Sequence, residues 1–96
     1  YCDQAVGAAV ATGNGDVMMR FLPTYHAVEL MRGGMEPAAA ARAAIQRIED
    51  AGYRIDGGVV AVRRDGAHGA AKTGWQGSNF SYSVQTTAGN VKVPVP

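Results

Sequence analysis

The sequence predicts a layered α/β fold in the order strand, two helices, three strands. A short apolar run, Gly7–Thr12, ends in glycines as a buried strand does. Two longer segments, 17–32 and 35–51, carry apolar residues at helical spacing. The continuous apolar run Val59–Val62 is typical of a strand covered on both faces. Helices and a doubly covered sheet imply stacked layers, and we expect part of the covering to be missing from these 96 residues.

The glycine-rich turn after the first strand is the most distinctive stretch of the chain. Thr12 and Gly13 end the strand, and Asn14, Gly15 and Asp16 lead into a helix, for which Asp16 is the expected N-cap. Unpaired backbone N–H groups at such a turn, with the positive end of a helix dipole, favour negative charge. The turn is therefore a candidate for binding an anion or stabilising charge that develops in a reaction. A purely structural turn has the same composition.

Two helices should follow this turn. Proline at position 23 interrupts the first, so we expect a kink or a new start at Leu22–Pro23, and Gly33–Gly34 ends it. The second should start at Met35–Pro37, with proline in its first turn, and end at Ala51–Gly52. Its many alanines would let it lie close against a sheet.

Three strands should complete the fold. After Val59–Val62, the pair Asp65–Gly66 signals a hairpin whose returning strand covers His68–Thr73. The segment Phe80–Thr86 alternates apolar and polar residues, as a half-buried or edge strand does. Alternating prolines in Val91–Pro96 cannot donate hydrogen bonds within a sheet interior.

Composition argues against several classes of partner. A net charge of +1 gives no electrostatic basis for binding nucleic acid or an anionic membrane surface. No apolar run approaches the roughly 18 residues of a membrane span, and no signal peptide is recognisable. Cys2 is the single cysteine, which excludes an internal disulfide and leaves the compartment open between periplasmic or lysosome-like and cytoplasmic. Because the chain starts at Tyr1 and soon enters a strand, we expect its start to be a cut.

Nucleotide and metal sites fit the residues poorly. A dinucleotide-binding turn needs a third glycine where this chain has Met18, and a phosphate loop needs lysine where Asp16 follows Gly15. His26 and His68 have no cysteine or carboxylate at ligand spacing. We therefore predict no metal site and no cofactor.

Two further features are candidates for a functional site: a possible serine triad, which is a weak candidate, and Trp75, whose role stays open. A serine triad could be assembled from Asp65, His68 and Ser78, but no nucleophile-elbow pattern surrounds any serine. Trp75 lies in a glycine-flanked loop and is the large aromatic residue that the predicted helices and strands do not place in the core. It could form the rim of a site, an interface, or a hydrophobic lid over the strand ends.

A collinear set of segments runs through almost the whole chain: Ala11–Asp16, Met18–Pro23, Tyr25, Ala27–Glu29, Met31–Arg32, Gly57–Val62, Gly69–Ala71 and Phe80–Val84. This set closely resembles the C-terminal part of the β-subunit of glycosylasparaginases, also called aspartylglucosaminidases. The related plant-type asparaginases share the Thr-Gly-x-Gly turn, but usually have glutamate at the position of Asp16 and a different continuation. The resemblance therefore favours the glycosylasparaginase branch.

The resemblance implies an N-terminal-nucleophile hydrolase with an αββα sandwich, of which residues 1–96 would be a single partial domain. In that family a precursor cleaves itself and exposes a threonine, which attacks the side-chain amide of an asparagine with its own α-amino group as the base. By matching position, Thr12 and Gly13 would form the oxyanion hole. The carbonyl of Gly15 would help hold the α-amino group of the substrate.

The family's nucleophilic threonine lies upstream of the segment that matches Tyr1, as do the arginine and aspartate that bind the substrate's amino-acid end. Thr24, Thr73, Thr86 and Thr87 do not occupy the context of that nucleophile. We therefore expect this segment to be inactive alone.

The implied partners are the α-subunit and the rest of the β-subunit from the same precursor, in a dimer of αβ units. The implied substrate is a small molecule, glycosylasparagine. Two alternatives remain: a β-aspartyl peptidase or L-asparaginase of the same superfamily, and a noncatalytic binding or assembly module.

Overall fold

The computed structural model describes residues 1–96 and contains six strands and three helices. The strands are β1 (Cys2–Asp3), β2 (Gly7–Gly13), β3 (Gly57–Arg63), β4 (His68–Thr73), β5 (Ser81–Thr86) and β6 (Gly89–Pro94), and the helices are α1 (Gly15–Met18), α2 (Pro23–Arg32) and α3 (Pro37–Asp50). The first four strands form an antiparallel sheet in the order β1-β2-β3-β4, and β5 pairs with β6 in a separate hairpin. The predicted layered α/β class is confirmed, whereas the αββα arrangement stays a prediction.

Helices α2 and α3 cover one face of the four-stranded sheet. Ala9, Val59, Ala61 and Ala71 lie on that face, and each is at most 4% exposed. Their short side chains let the helices approach closely, and the helices fill the space with larger residues that are fully buried: Val28, Ile45 and Ile48. Burial of these aliphatic side chains is the main source of stability in the fold.

The opposite face of the sheet is largely uncovered in this chain. Val10 on β2 is 65% exposed and Val62 on β3 is 44% exposed. Within these 96 residues Val59–Val62 is covered on one face, because successive side chains of a strand point to opposite faces, and its cover on the second face stays a prediction. Val59 points to the helices, and the neighbouring valines point to the open face.

The end of the chain also differs from the prediction. The strand expected at Phe80–Thr86 is present as β5, but it pairs with β6 and not with the main sheet. Proline does not exclude β6, because Pro94 is its last residue and both strands of a two-stranded sheet are edge strands. The two-residue strand β1 was not predicted.

The break predicted at Leu22–Pro23 is confirmed. Helix α1 is a single turn, and α2 starts anew with Pro23 as its first residue. Leu22, the N-cap of α2, has a left-handed backbone with φ of 49°, which redirects the chain between the helices. Helix α3, which corresponds to the second predicted helix, has the predicted extent. None of the three helices has the length and apolar character needed to cross a membrane.

Candidate functional site

The turn after β2 is fixed by a side-chain cap on α1. Asn14 is the N-cap, and its side-chain oxygen accepts a hydrogen bond from the N–H of Val17 at 3.3 Å. The prediction that Asp16 caps the helix is wrong, because Asp16 lies within the first turn and pairs with Arg20 at 3.0 Å. A helix of four residues has only a small dipole, so individual N–H groups matter more here than the helix as a whole.

Gly13 directs its backbone N–H away from the sheet interior. Hydrogen bonds from the Asn14 N–H to the Asp56 carbonyl (2.8 Å) and from the Arg64 N–H to the Val6 carbonyl (2.8 Å) flank the paired residues of β2 and β3. Hydrogen-bonded and non-hydrogen-bonded pairs alternate in an antiparallel ladder, so Gly13 falls in a non-hydrogen-bonded pair. Its N–H and carbonyl therefore point to the other edge of β2, where β1 pairs no further along than the N-terminal half of the strand.

Only glycine fits at position 13. Its φ of 121° lies in the region that other residues avoid, and an added Cβ would lie 2.1 Å from the carbonyl oxygen of Asp56. Because the backbones of Gly13 and Asp56 approach so closely, the pairing of β2 with β3 extends to the start of the turn. The position and direction of the Gly13 N–H are thus determined by its pairing partner as well as by the turn.

Thr12 shares a groove with Gly13 and Gly15. The groove has a volume of about 290 Å³, and its walls are the end of β2, helix α1 and the start of α2. Thr12 is exposed, so its hydroxyl is accessible, and it pairs directly with Gly58 on β3. The structure therefore brings all three predicted site residues together at one edge of the sheet.

The carbonyl of Gly15 already has one partner, because it accepts a hydrogen bond from the N–H of Met19 at 2.8 Å. A carbonyl oxygen has two lone pairs, so one more donor can be accepted. The predicted contact of Gly15 with an α-amino group is compatible with this geometry and stays a prediction.

Charge beside the turn is locally balanced. Arg20 contacts both the hydroxyl of Tyr53 (3.2 Å) and the carboxylate of Asp16 (3.0 Å). The hydrogen bond to Tyr53, followed by attraction to Asp16, raises the pKa of Arg20 above its ordinary value. Arg20 remains a cation at every physiological pH, paired with the acidic residue of α1. The two predicted donors, the Thr12 hydroxyl and the Gly13 N–H, are neutral.

Other candidate residues are arranged differently. The ring nitrogen Nδ1 of His68 lies 2.7 Å from the hydroxyl of Tyr82, and no hydrogen bond or ion pair joins His68 to Asp65 or Ser78. No three or more His, Cys, Asp or Glu side chains come together in a way that could hold a metal ion. Asp56, which contacts the turn through its carbonyl, was missed because its role depends on the backbone of a residue far away in the sequence.

Comparisons with known proteins agree on a family, although the names of the relatives differ in the activity that they state. The sequence model of the asparaginase family matches residues 1–92. An Arabidopsis thaliana protein named "Probable isoaspartyl peptidase/L-asparaginase 3" is 52% identical over 88% of this chain and 23% of its own length. A Drosophila persimilis protein named "Putative N(4)-(beta-N-acetylglucosaminyl)-L-asparaginase" is 58% identical over 74% of this chain and 18% of its own. A Drosophila melanogaster protein of the same name is 49% identical over 93% of this chain and 22% of its own. The chain spans about a fifth of the length of these relatives.

Proposed function

This chain belongs to the asparaginase family, and on that premise we propose that its full-length protein is an amidohydrolase that cleaves the side-chain amide of glycosylated asparagine. The proposed activity is that of an N4-(β-N-acetylglucosaminyl)-L-asparaginase. The family predicted from the sequence is confirmed, whereas this substrate and the residues of the reaction are part of the proposal.

In the proposed reaction, a threonine upstream of this segment attacks the side-chain carbonyl carbon of the substrate, and its α-amino group takes up the hydroxyl proton. Negative charge develops on the carbonyl oxygen, and donors placed in advance at that oxygen lower the barrier. Collapse of the intermediate transfers a proton to the leaving nitrogen and releases the glycosylamine. Water then hydrolyses the β-aspartyl ester and restores the threonine.

The Thr12 hydroxyl and the Gly13 N–H are the proposed donors to that oxygen. The observation that carries this assignment is the direction of the Gly13 N–H, which points out of the β2–β3 ladder at the edge that β1 leaves unpaired. Thr12 lies next to it and lines the same groove. A neutral hydroxyl and a backbone N–H can stabilise a developing oxyanion without binding the uncharged amide strongly.

The open face of the sheet supports the proposed partners. Val10 and Val62 expose apolar surface there, and the relatives are several times longer than this chain. We propose that the rest of the β-subunit and the α-subunit, produced from one precursor by self-cleavage, cover this face and contribute the nucleophile. A dimer of such αβ units and the inactivity of the segment alone belong to the same proposal.

A second substrate class is favoured by one comparison. The Arabidopsis relative carries the name of an isoaspartyl peptidase/L-asparaginase, so the family match alone does not choose between the substrates. The decisive measurement is kcat/KM of the purified full-length protein for glycosylasparagine, a β-aspartyl dipeptide and free asparagine. We expect the highest value for glycosylasparagine. A clear preference for the dipeptide would instead assign the protein to the isoaspartyl peptidases.

Replacing Thr12 tests the proposed oxyanion hole. In the full-length protein, Thr12→Ala should lower kcat by about 10²- to 10³-fold, the typical effect of removing one oxyanion donor. Folding stability should change little, because the side chain is exposed and its hydroxyl acts mainly in the transition state.

Two further variants serve as controls for this test. Thr12→Ser keeps the hydroxyl and should keep most of the activity. Thr86→Ala removes the hydroxyl of a threonine on β5, outside the proposed site, and should leave the activity unchanged. Full activity of Thr12→Ala would remove Thr12 from the site.

A further inference from the structure

Trp75 adopts a backbone conformation that is unusual for a bulky residue. Its φ is 60°, in the left-handed region, and it follows Gly74, whose φ is 75°. Two hydrogen bonds hold it there: its N–H donates to the Asp56 carboxylate at 2.7 Å, and its indole N–H donates to the Gly57 carbonyl at 3.0 Å. Such strain persists only where the surroundings determine the conformation, and it is concentrated at functional sites.

The ring of Trp75 reaches the proposed oxyanion hole through Phe80. The two rings are stacked, with centroids 5.4 Å apart and planes inclined by 27°. The Phe80 ring lies against Gly58 so closely that a Cβ there would be 2.5 Å from its para carbon. Gly58 is the direct partner of Thr12 in the ladder, and paired residues point to the same face. Phe80 therefore occupies the side-chain space next to Thr12.

Asp56 provides a second connection from Trp75 to the turn. Its carboxylate accepts from the Trp75 N–H, and its carbonyl accepts from the Asn14 N–H at 2.8 Å. The residue that fixes Trp75 thus also fixes the backbone that directly follows Gly13. Neither Trp75 nor Phe80 belongs to the core cluster that the helices bury, so filling that core does not account for them.

We propose that Trp75 and Phe80 are positioning residues for the oxyanion hole, which keep the Thr12 hydroxyl and the Gly13 N–H aimed at one point. This inference rests on the proposed function. Phe80 acts on the Thr12 side chain by filling the space over Gly58, and Trp75 supports Phe80 by stacking and the turn through Asp56. Two donors must be aligned when the oxygen becomes charged, and a misplacement of about 1 Å costs on the order of 10²-fold in rate.

The test is a double-mutant cycle of Phe80→Ala and Thr12→Ala in the full-length protein. Phe80→Ala alone should lower kcat about 10- to 100-fold and change KM by less than about threefold, because the loss occurs in the transition state. In the Thr12→Ala background, Phe80→Ala should lower kcat by no more than about threefold, since residues that act as a unit are not additive. Phe80→Leu, which keeps an apolar side chain over Gly58, should restore most of the activity.

Tyr82→Ala is the matched control, because it removes another aromatic ring from the same hairpin, one that contacts His68 instead of Gly58. It should keep kcat within about twofold of the wild-type value. An equal loss in Tyr82→Ala would mean that loosening of the hairpin lowers activity, and it would overturn the inference. If Phe80→Ala does not fold, Phe80→Val replaces it in the cycle.

The outcomes separate this inference from the proposed function. A large loss in Thr12→Ala, with no loss in Phe80→Ala or with independent losses that multiply, overturns the positioning role alone. If Thr12→Ala keeps full activity, the proposed oxyanion hole is overturned and the positioning role with it.

Discussion

His26 on α2 links the stability of the fold to pH. Its ring nitrogen Nδ1 is buried without a hydrogen-bond partner. Burial, and secondarily the positive charge of Arg47, lower the pKa of His26 below its ordinary value of 6.5. The unfolded chain therefore takes up a proton more readily than the folded chain does. The stability contributed by neutral His26 is fully present above about pH 6.5 and is lost as the pH falls through the lower pKa of the folded state.

The variant His26→Gln tests this link, because glutamine does not titrate. We expect the melting temperature of the full-length protein to fall between pH 7 and pH 5, and to fall less in His26→Gln. Thermal unfolding of both proteins at matched ionic strength, in steps of half a pH unit, measures the difference. The same decrease in both proteins would show that other groups cause the pH dependence.

Single residues of the candidate site were predictable to different degrees. The glycine-rich signal after an apolar run is local, so it located Thr12, Gly13 and Gly15 at a turn. The cap was misplaced because Asn14 and Asp16 are both common N-cap residues, and only the path of the backbone selects between them. The neighbours of the turn that come from distant segments, Asp56 and Phe80, leave no local signal.

At the level of elements, the close contact of α3 with β4 is sensitive to a single methyl group. The helix starts directly over Gly69, where an added Cβ would lie 2.5 Å from the backbone nitrogen of Ala38 and 2.6 Å from its Cα. Both neighbouring atoms belong to the backbone, so neither can move without shifting the helix. The hydrophobic layer between α3 and the sheet depends on this distance of approach.

We therefore expect Gly69→Ala to lower the free energy of unfolding by about 1–3 kcal/mol, the usual cost of overpacking. Gly33→Ala is the matched control, because the nearest atom to its added Cβ is 3.5 Å away and its φ of −78° suits alanine. Its effect should stay within about 0.5 kcal/mol. Denaturant unfolding of both full-length variants measures these changes, and equal stabilities would contradict the close contact.

The elements with strong local signals were predictable, and the pairing of weaker ones was not. Proline fixes the start of α2 and α3, and Asp65–Gly66 marks the turn between β3 and β4. Strand β1 has two residues and no pattern of its own. Strand β5 has the alternation of an edge strand, but that alternation does not say whether it pairs with the main sheet or with β6.

At the scale of the whole molecule, a substitution on the open face of the sheet can distinguish whether that face is covered or contacts water in the full-length protein. We expect Val10→Lys to lower the free energy of unfolding of the full-length protein by more than about 2 kcal/mol, because a covered face would bury the ammonium group. Gln46→Lys, on an exposed position of α3, should be close to neutral. Thermal unfolding compares the two, and a neutral Val10→Lys would mean that this face contacts water.

The number of layers was the hardest feature of the fold to predict from the sequence. The consecutive valines of β3 predict a strand that is buried on both faces. The sequence pattern does not identify the elements that cover each face. In this chain the helices supply one cover, and the hairpin spans only part of the other face. The prediction of the class succeeded because it depends on the elements, whereas the αββα arrangement stays a prediction, because it would need a second cover that these residues do not supply.

The ladder between β2 and β3 has a consequence for the order of folding. It joins residues 7–13 to residues 57–63, so all three helices lie in the intervening segment that the ladder closes. Contacts that are distant in the sequence form slowly, and terminal pairs open most readily once formed. The pair of Gly13 and Gly57 is the last in the register of the two strands, and the N–H of Gly13 points away from β3. We therefore expect the amide hydrogen of Gly13 to exchange with solvent faster than that of the fully buried Val59. The proposed donor site would then be among the last parts of the sheet to become rigid.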